Sequence, residues 1–247
     1  MPENRTFYAR VIISLYALWI WLFAKVGFFA SRLSPVDLTC RLDAGIPFLP
    51  QSIWIYFFCY IYPGAVYLLA TDWHIVNQTL LSIALASLTG FNIHLLYPTN
   101  FAKPRLGTSF SERVLGIIHR KDFPPGALKF PSLHVAIAWL ICFSLIRQPI
   151  AKAWKAASIS TTLGIVLATL FTKQHILIDV LGGTGLAFAI RKGISDFYSQ
   201  NVDTQMQPQD ALKLSLRKLT PIYLLLLASV LAIMLIRKWG NERNPYH

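Results

Sequence analysis

The chain has 247 residues, 55% of them hydrophobic and only 14% charged, which excludes the balance expected of a soluble domain. Its formal net charge of +12 would point to nucleic acid on a soluble protein. Here the basic residues lie between long apolar runs, so the partners they predict are the bilayer and phosphate-bearing lipid headgroups, with no nucleic acid.

Apolar stretches able to supply about 20 residues of helix run in order from Val11 to Ala30, Ser52 to Ala70, Ile75 to Leu96, Ser132 to Ile146, Ala156 to Phe171, His175 to Ile190 and Leu219 to Ile236. They predict an all-α integral membrane protein, multi-pass, with six or seven spans. The first run contains Lys25 and is followed by no small-x-small cleavage site, so it is expected to be retained. Cys40, Cys59 and Cys142 have neither disulfide nor metal-ligand spacing and read as packing residues.

The connections are unequal. Thr71 to His74 is a tight turn, and Arg147 to Lys155 is short and basic. Tyr97 to Pro131 is long, with Pro104, Pro124, Pro125, Gly107 and Gly126 beside Lys103, Arg105, Arg113, Arg120, Lys121 and Lys129. A loop of that length in a compact bundle is more often functional than idle. Threading the spans back and forth puts the loops after the first, third and fifth on one face: Ser31 to Gln51, Tyr97 to Pro131, and the turn at Thr172 to Gln174. The basic residues are nearly balanced between the two faces, and Arg237 and Lys238 after the last run conflict with a seventh span, so charge alone does not orient the chain. The polar stretch from Gly193 to Lys213 reads as a linker. The expected division is a transmembrane unit over 1–192, a polar linker over 193–218 and a C-terminal transmembrane segment with its tail over 219–247.

Two motifs carry chemistry. In Phe130-Pro-Ser-Leu-His134 a helix starts near Ser132, either as cap or as first helical residue, with His134 in its first turn. Amides at such a start favour an anion, and the histidine there either protonates a leaving oxygen or contacts a headgroup. In Lys173-Gln-His175 followed by Asp179, the four-residue spacing puts carboxylate and imidazole on one helical face. The pair either orients a histidine for nucleophilic work or stitches two helices together. Gly182, Gly183 and Gly185 below it suit close helix packing.

The order of these elements resembles the type 2 phosphatidic acid phosphatase superfamily, in particular its lipid phosphatase and inositol phosphorylceramide synthase-like branch. The resemblance rests on the basic loop with Tyr97-Pro-Thr99 and Lys103-Pro-Arg105, on Phe130-Pro-Ser-Leu-His134, and on His175 with Asp179, a motif region of 97–185. The segment Asp43-Ala-Gly-Ile-Pro-Phe-Leu-Pro50 also looks like the loop after the first span of that branch. The resemblance implies a six-helix bundle of lipid-phosphatase type, here with a seventh C-terminal span. It implies His175 as nucleophile forming a phosphohistidine, Asp179 as its orienter, His134 as proton donor, and Ser132 and Arg105 as phosphate contacts. It also implies a site facing the periplasm or lumen, in a bacterial inner membrane or a eukaryotic endomembrane.

Departures from the family pattern are specific. Pro98 stands where a lysine precedes the arginine, Leu106 replaces a proline, Leu133 replaces a glycine as in the sphingolipid-synthase branch, and Ala168 and Thr169 occupy the place of a Ser-Arg pair. Phosphoryl transfer needs cationic or amide donors, so Lys103 and Lys173 are expected to join Arg105 and Ser132 in binding phosphate. No carboxylate cluster suited to magnesium accompanies the histidines, and no cofactor or metal is expected. The expected function is an integral-membrane phosphatase acting on a lipid phosphate or diphosphate; the alternative is a phosphotransferase that passes the phospho-headgroup to a second alcohol. A non-catalytic membrane scaffold or a lipid transporter is the reading from another class, although no repeated, Gly/Pro-broken halves mark a transporter.

Overall fold

The computed structural model describes residues 2–121 and 128–242, with side chains described over 4–120 and 128–236. Pro124, Pro125 and Gly126 of the basic loop, and the side chains of Lys121, Arg237 and Lys238, lie outside the described residues. Among the described residues the chain is helical throughout, with no strand beyond isolated bridges that join Val36 to Thr99 and Thr99 to Leu128.

Helix α1 spans Pro2–Ala30, and a short α2 at Arg41–Ala44 follows in the loop beyond it. The run expected as one span from Ser52 to Ala70 is instead a turn of 3-10 helix at Pro50–Ser52 followed by α3 (Ile53–Tyr56), α4 (Phe58–Ile61) and α5 (Pro63–Leu68). Pro63 has no amide to donate to the preceding turn, and the run is rich in aromatic residues of low helix propensity. The joints Phe57 and Tyr62 keep right-handed helical dihedrals, so the hydrogen-bond ladder is interrupted while the path of the chain continues.

Helix α6 (Trp73–Leu96) is the central element and packs against α1 and three later helices. Asp72 starts it by accepting from the amides of His74 and Ile75, two donors the first turn would otherwise leave unpaired. The long basic loop contains α7 (Phe110–Lys121), which the sequence reading did not include. Ser109 and Glu112 cap it reciprocally: the Ser109 amide donates to Glu112 and the Glu112 amide to the Ser109 hydroxyl. Leu115 is buried between α7 and α3, with Val114 and Ile118 packed beside it.

Helices α8 (Leu133–Arg147), α9 (Lys152–Phe171), α10 (Leu177–Asn201) and α11 (Pro208–Glu242) complete the molecule. The polar stretch marked as a linker holds the end of α10 and the first turns of α11, with only residues 202–207 between them. Ile194, Tyr198, Val202, Ala211 and Leu212 within it are buried in the main core cluster, at spacings that keep one helical face inward.

Among the described residues, four helices are long and apolar enough to cross a membrane: Asn4–Ala30, Trp73–Leu96, Lys152–Phe171 and Pro208–Ile236. Helix α8 is apolar but only 15 residues long. The perimeter carries exposed Ile13, Leu18 and Trp21 on α1 and Leu224, Leu225 and Leu235 on α11. In water such faces would aggregate, whereas hydrocarbon solvates them without cost.

The two ends of the bundle differ in what holds them. At one end Gln148 accepts from the amides of Thr71 and Asp72 and donates to the Asp72 carbonyl, and Asn77 joins Tyr8, Tyr198 and the Pro208 carbonyl. At the other end the three connections expected to share a face do meet. Val36 pairs with Pro98 and Asn100, the Leu49 amide donates to the Phe171 carbonyl, and Lys103 reaches Gln174.

Candidate active site

The segment that presents His175 is held by its own backbone. Helix α9 ends at Phe171, Lys173 turns the chain with a left-handed φ of 51°, and the amides of Gln174 and His175 both donate to the Thr169 carbonyl. Thr169 and Ala168, which stand where the family pattern has Ser-Arg, are fully buried and serve this turn. They bring no charge to the site. The adjoining start of α10 is fixed by Asp179, whose Oδ2 accepts from the Ile176 amide at 3.1 Å and faces His175 Nδ1 at 3.2 Å.

Helix α8 delivers the second histidine. Ser132 caps it, its hydroxyl accepting from the Val135 amide at 3.4 Å, while its own amide donates to the Asp179 carbonyl at 3.0 Å. The starts of α8 and α10 therefore lie side by side. Gly183 makes that approach possible, because a Cβ there would press into the Ser132 carbonyl; Gly182 faces the Phe130 ring, and Gly185 has open space. Gly183→Ala would gain about 1 kcal/mol of helix propensity, but it pushes on backbone that cannot swing aside, and overpacking typically costs about 1–3 kcal/mol. A displacement of even 1 Å can cost about 100-fold in rate. Gly183→Ala is therefore expected to lose activity by about 10- to 100-fold while still eluting as a folded species in detergent, and unchanged turnover would contradict the tight contact.

His134 Nδ1 stands 3.4 Å from His175 Nε2, and Tyr56 Oη stands 3.2 Å from His134 Nε2. One proton arrangement satisfies the whole row. Tyr56 donates to His134 Nε2, His134 Nδ1–H points at His175 Nε2, and His175 Nδ1–H donates to Asp179; the tautomers follow from the partners. The lone pair of His175 Nε2 then faces the same space as the His134 proton. His175 and Asp179 are only 3% and 1% exposed, so the imidazole is held in this pose by packing as well as by its carboxylate.

Both histidines border a cavity of about 470 Å³. Its polar end is formed by Tyr56, Lys129, His134, Gln174 and His175, with His94 beside them. The rest is apolar and lies between α1, α6 and α11, with Trp19, Leu22, Phe91, Leu88 and Leu227 among its walls. Two residues bordering the cavity, His94 and Gln174, carry buried side-chain atoms without a hydrogen-bond partner among the described residues, Nδ1 and Nε2 respectively, and Asp179 Oδ1 behind His175 is a third such atom. Buried polar atoms are rarely left unpaired, so such atoms at the cavity wall mark a place built for a ligand.

The remaining sequence-derived candidates separate. Lys103 reaches the site indirectly, its ammonium 3.3 Å from Gln174 Oε1. Ser132 is fully buried beneath the histidines. Arg105 is exposed and does not border the cavity. Lys173 also stays outside it: its ammonium donates to the Asp43 and Ile46 carbonyls at 3.0 and 2.7 Å, tying the loop after α1 to the turn before His175. Lys129, singled out only as a loop cation, is 5% exposed and borders the cavity. Among the described residues no cluster of three or more His, Cys, Asp or Glu side chains is placed to hold a metal ion.

Three residues of the site carried no sequence expectation. Tyr56 has no local signal, being one aromatic in an aromatic run. His94 had one: it is an ionisable group within an apolar span. Asp43 is the third, accepting the Leu177 amide at 2.8 Å and the Cys40 amide at 2.9 Å. Burial acts to raise its carboxyl, but those amides and the Lys173 ammonium outweigh it and hold it below the usual carboxylate range. A depressed folded value means that the stabilisation is complete above the ordinary carboxylate pKa of about 3.9 and is lost as pH falls through the folded one. Asp43→Asn should therefore melt below the parent at pH 7, and the gap should close as the pH drops under about 4; a gap independent of pH would show that the carboxylate is not what holds the loop.

Fold and site together define a multi-pass helical membrane protein with a histidine pair, His175 buried and His134 half-buried, at the head of an apolar cavity. The family model described as PAP2 superfamily matches residues 52–192. The match covers more than half of the chain, and the protein belongs to the type 2 phosphatidic acid phosphatase superfamily, which generally comprises phosphatases. Searches of curated proteins and of solved structures each returned no match. The matched stretch contains Tyr56, His94, His134, His175 and Asp179; α1, Asp43 and α11 lie outside it.

Proposed function

We propose that the protein is an integral-membrane phosphatase that hydrolyses a lipid phosphate or diphosphate through a phosphohistidine on His175. The observation that carries this reading is the row Tyr56, His134, His175, Asp179 at the mouth of an apolar cavity. The hydrocarbon chain of the lipid occupies the cavity between α1, α6 and α11, and its phosphate lies at the polar end beside His175 and His134.

Asp179 keeps the proton of His175 on Nδ1, so Nε2 attacks phosphorus with its lone pair. The ester P–O bond breaks as the P–N bond forms. The phosphate's negative charge favours the doubly protonated form of His134, whose Nδ1–H passes to the departing alkoxide while its Nε2–H turns to the Tyr56 oxygen. Water then attacks the phosphohistidine, His134 takes back a proton, and the P–N electron pair returns to His175. The sum is ester plus water giving alcohol plus phosphate. Lys129 balances charge on the non-bridging oxygens, and Lys103 holds Gln174 so that its amide N–H groups remain available to them. Lys173 and Ser132 then act as supports of the two histidine-bearing turns, and Arg105 stays outside the cavity.

A panel of lipid phosphates offered to purified protein in detergent, scored both for free phosphate and for headgroup transfer to an added alcohol, tests this reading. Phosphate release that vanishes in His175→Ala is expected. Equal release by wild type and His175→Ala would end it, and transfer in excess of hydrolysis would move the assignment to a phosphotransferase.

A further inference from the structure

His94 has a different position from the two histidines of the proposed reaction. It sits in the last turn of α6, 1% exposed, and its Nε2 lies 3.1 Å from the Pro131 carbonyl. A carbonyl only accepts, so Nε2 carries the proton and donates, and the neutral ring then has only a lone pair at Nδ1. That atom has no hydrogen-bond partner among the described residues, and the residue borders the cavity. The ring cannot easily turn away. Gly90, one turn earlier, lies against the Leu133 side chain, which brings α6 close to the start of α8 and sets the ring beside Pro131.

Its place along the cavity says what the lone pair meets. Going down α6 from the phosphate end, His94 comes first and is followed by Phe91, Leu88 and Ile83, then by Thr79 near the far end. At 1.5 Å per residue, His94 to Thr79 covers roughly 22 Å, most of the hydrocarbon thickness of about 30 Å. A lipid with its phosphate at His175 and its chain along Phe91 and Leu88 must pass His94 with the few atoms that join phosphate ester to chain.

We propose that His94 Nδ1 is a recognition site for a hydrogen-bond donor, a hydroxyl or amide N–H, carried by the lipid backbone next to the phosphate ester. The substrate class is then a lipid phosphate with a glycerol-type hydroxyl or a sphingoid-type hydroxyl or amide, in preference to a polyprenyl phosphate, which has no such donor. This inference rests on the reading of the cavity as a lipid-phosphate site. Its selectivity has a physical origin: a buried acceptor left unpaired penalises the ligand that lacks the donor, so discrimination arises from rejection as much as from attraction.

The test uses a matched pair, 1-oleoyl lysophosphatidate and its 2-deoxy analogue, which share chain and phosphate and differ in one hydroxyl. Affinities are read by tryptophan fluorescence, Trp19 being in the cavity wall, on detergent-purified His175→Ala, which does not turn over. The hydroxyl-bearing lipid should bind about 10- to 100-fold tighter, the factor set by a buried unpaired acceptor. Adding His94→Gln, which can still donate to Pro131 but removes the acceptor at the Nδ1 position, should collapse the ratio towards one. Adding His94→Asn, which can place an oxygen where Nδ1 stood, should retain part of it. Equal affinities in the parent, or a ratio that persists in His94→Gln, overturns the proposal. Phosphate release by the wild-type protein is scored separately: discrimination without turnover leaves the hydroxyl site standing and removes the phosphatase reading, and turnover without discrimination does the reverse.

Discussion

Replacing His175 with alanine is expected to lower phosphate release from a lipid phosphate by about 10⁴-fold or more, the scale seen when a covalent nucleophile is removed. No other side chain in the row can take its place: Tyr56 and His134 face the same space, but only His175 has a carboxylate behind it to keep its proton on Nδ1. Asp179→Asn should approach the same loss, by about 10²- to 10⁴-fold. The amide keeps the shape, but its nitrogen can turn towards the ring and favour the wrong tautomer. It also disturbs the Ile176 amide that now donates to the carboxylate. Initial rates with equal amounts of folded protein decide the matter. Activity within tenfold of wild type in His175→Ala would remove covalent catalysis at that atom and with it the proposed order of steps.

The second large effect is expected at His134, and it should depend on what leaves. An aliphatic alkoxide is a poor leaving group without a proton, so His134→Ala should slow hydrolysis of a lipid phosphate by about 10²- to 10⁴-fold, the range of general acid catalysis. Nitrophenolate leaves without help. For a lipid-like nitrophenyl phosphate the same substitution should therefore cost far less, about tenfold. That contrast separates proton donation from positioning, because a residue that only shapes the site would affect both substrates alike. Equal losses on the two would assign His134 a packing role next to Tyr56 and His175.

Much of the site can be read from the chain because its key spacing is local. His175 and Asp179 are one helical turn apart, and Pro-Ser before His134 marks a helix start; both are properties of short segments, and the helices form where those segments predict them. The meeting of the three loops on one face also followed from span order alone. Other features escaped for physical reasons. Tyr56 meets His134 across 78 residues, and no periodicity encodes that contact. Lys173 is expected to bind phosphate in place of the missing Ser-Arg pair, yet its ammonium donates to the Asp43 and Ile46 carbonyls of the loop after α1. Helix α7 was hidden by the prolines and glycines around it, although Val114, Leu115 and Ile118 carry the spacing of one buried face. The broken span at 53–68 shows the opposite bias: hydropathy measures what a segment can dissolve in, and says nothing of whether Pro63 lets its ladder run through.

The cavity draws its walls from two different sources. The atoms that would break the ester belong to the stretch matched by the family, whereas α1 and α11, which close the cavity around a hydrocarbon chain, lie outside that stretch at the two ends of the sequence. The apolar wall is thus shared between α6, inside the matched stretch, and α1 and α11, outside it; on the proposed reading, changes confined to the two outer helices would alter which tails are admitted while the residues proposed to break the bond stay as they are.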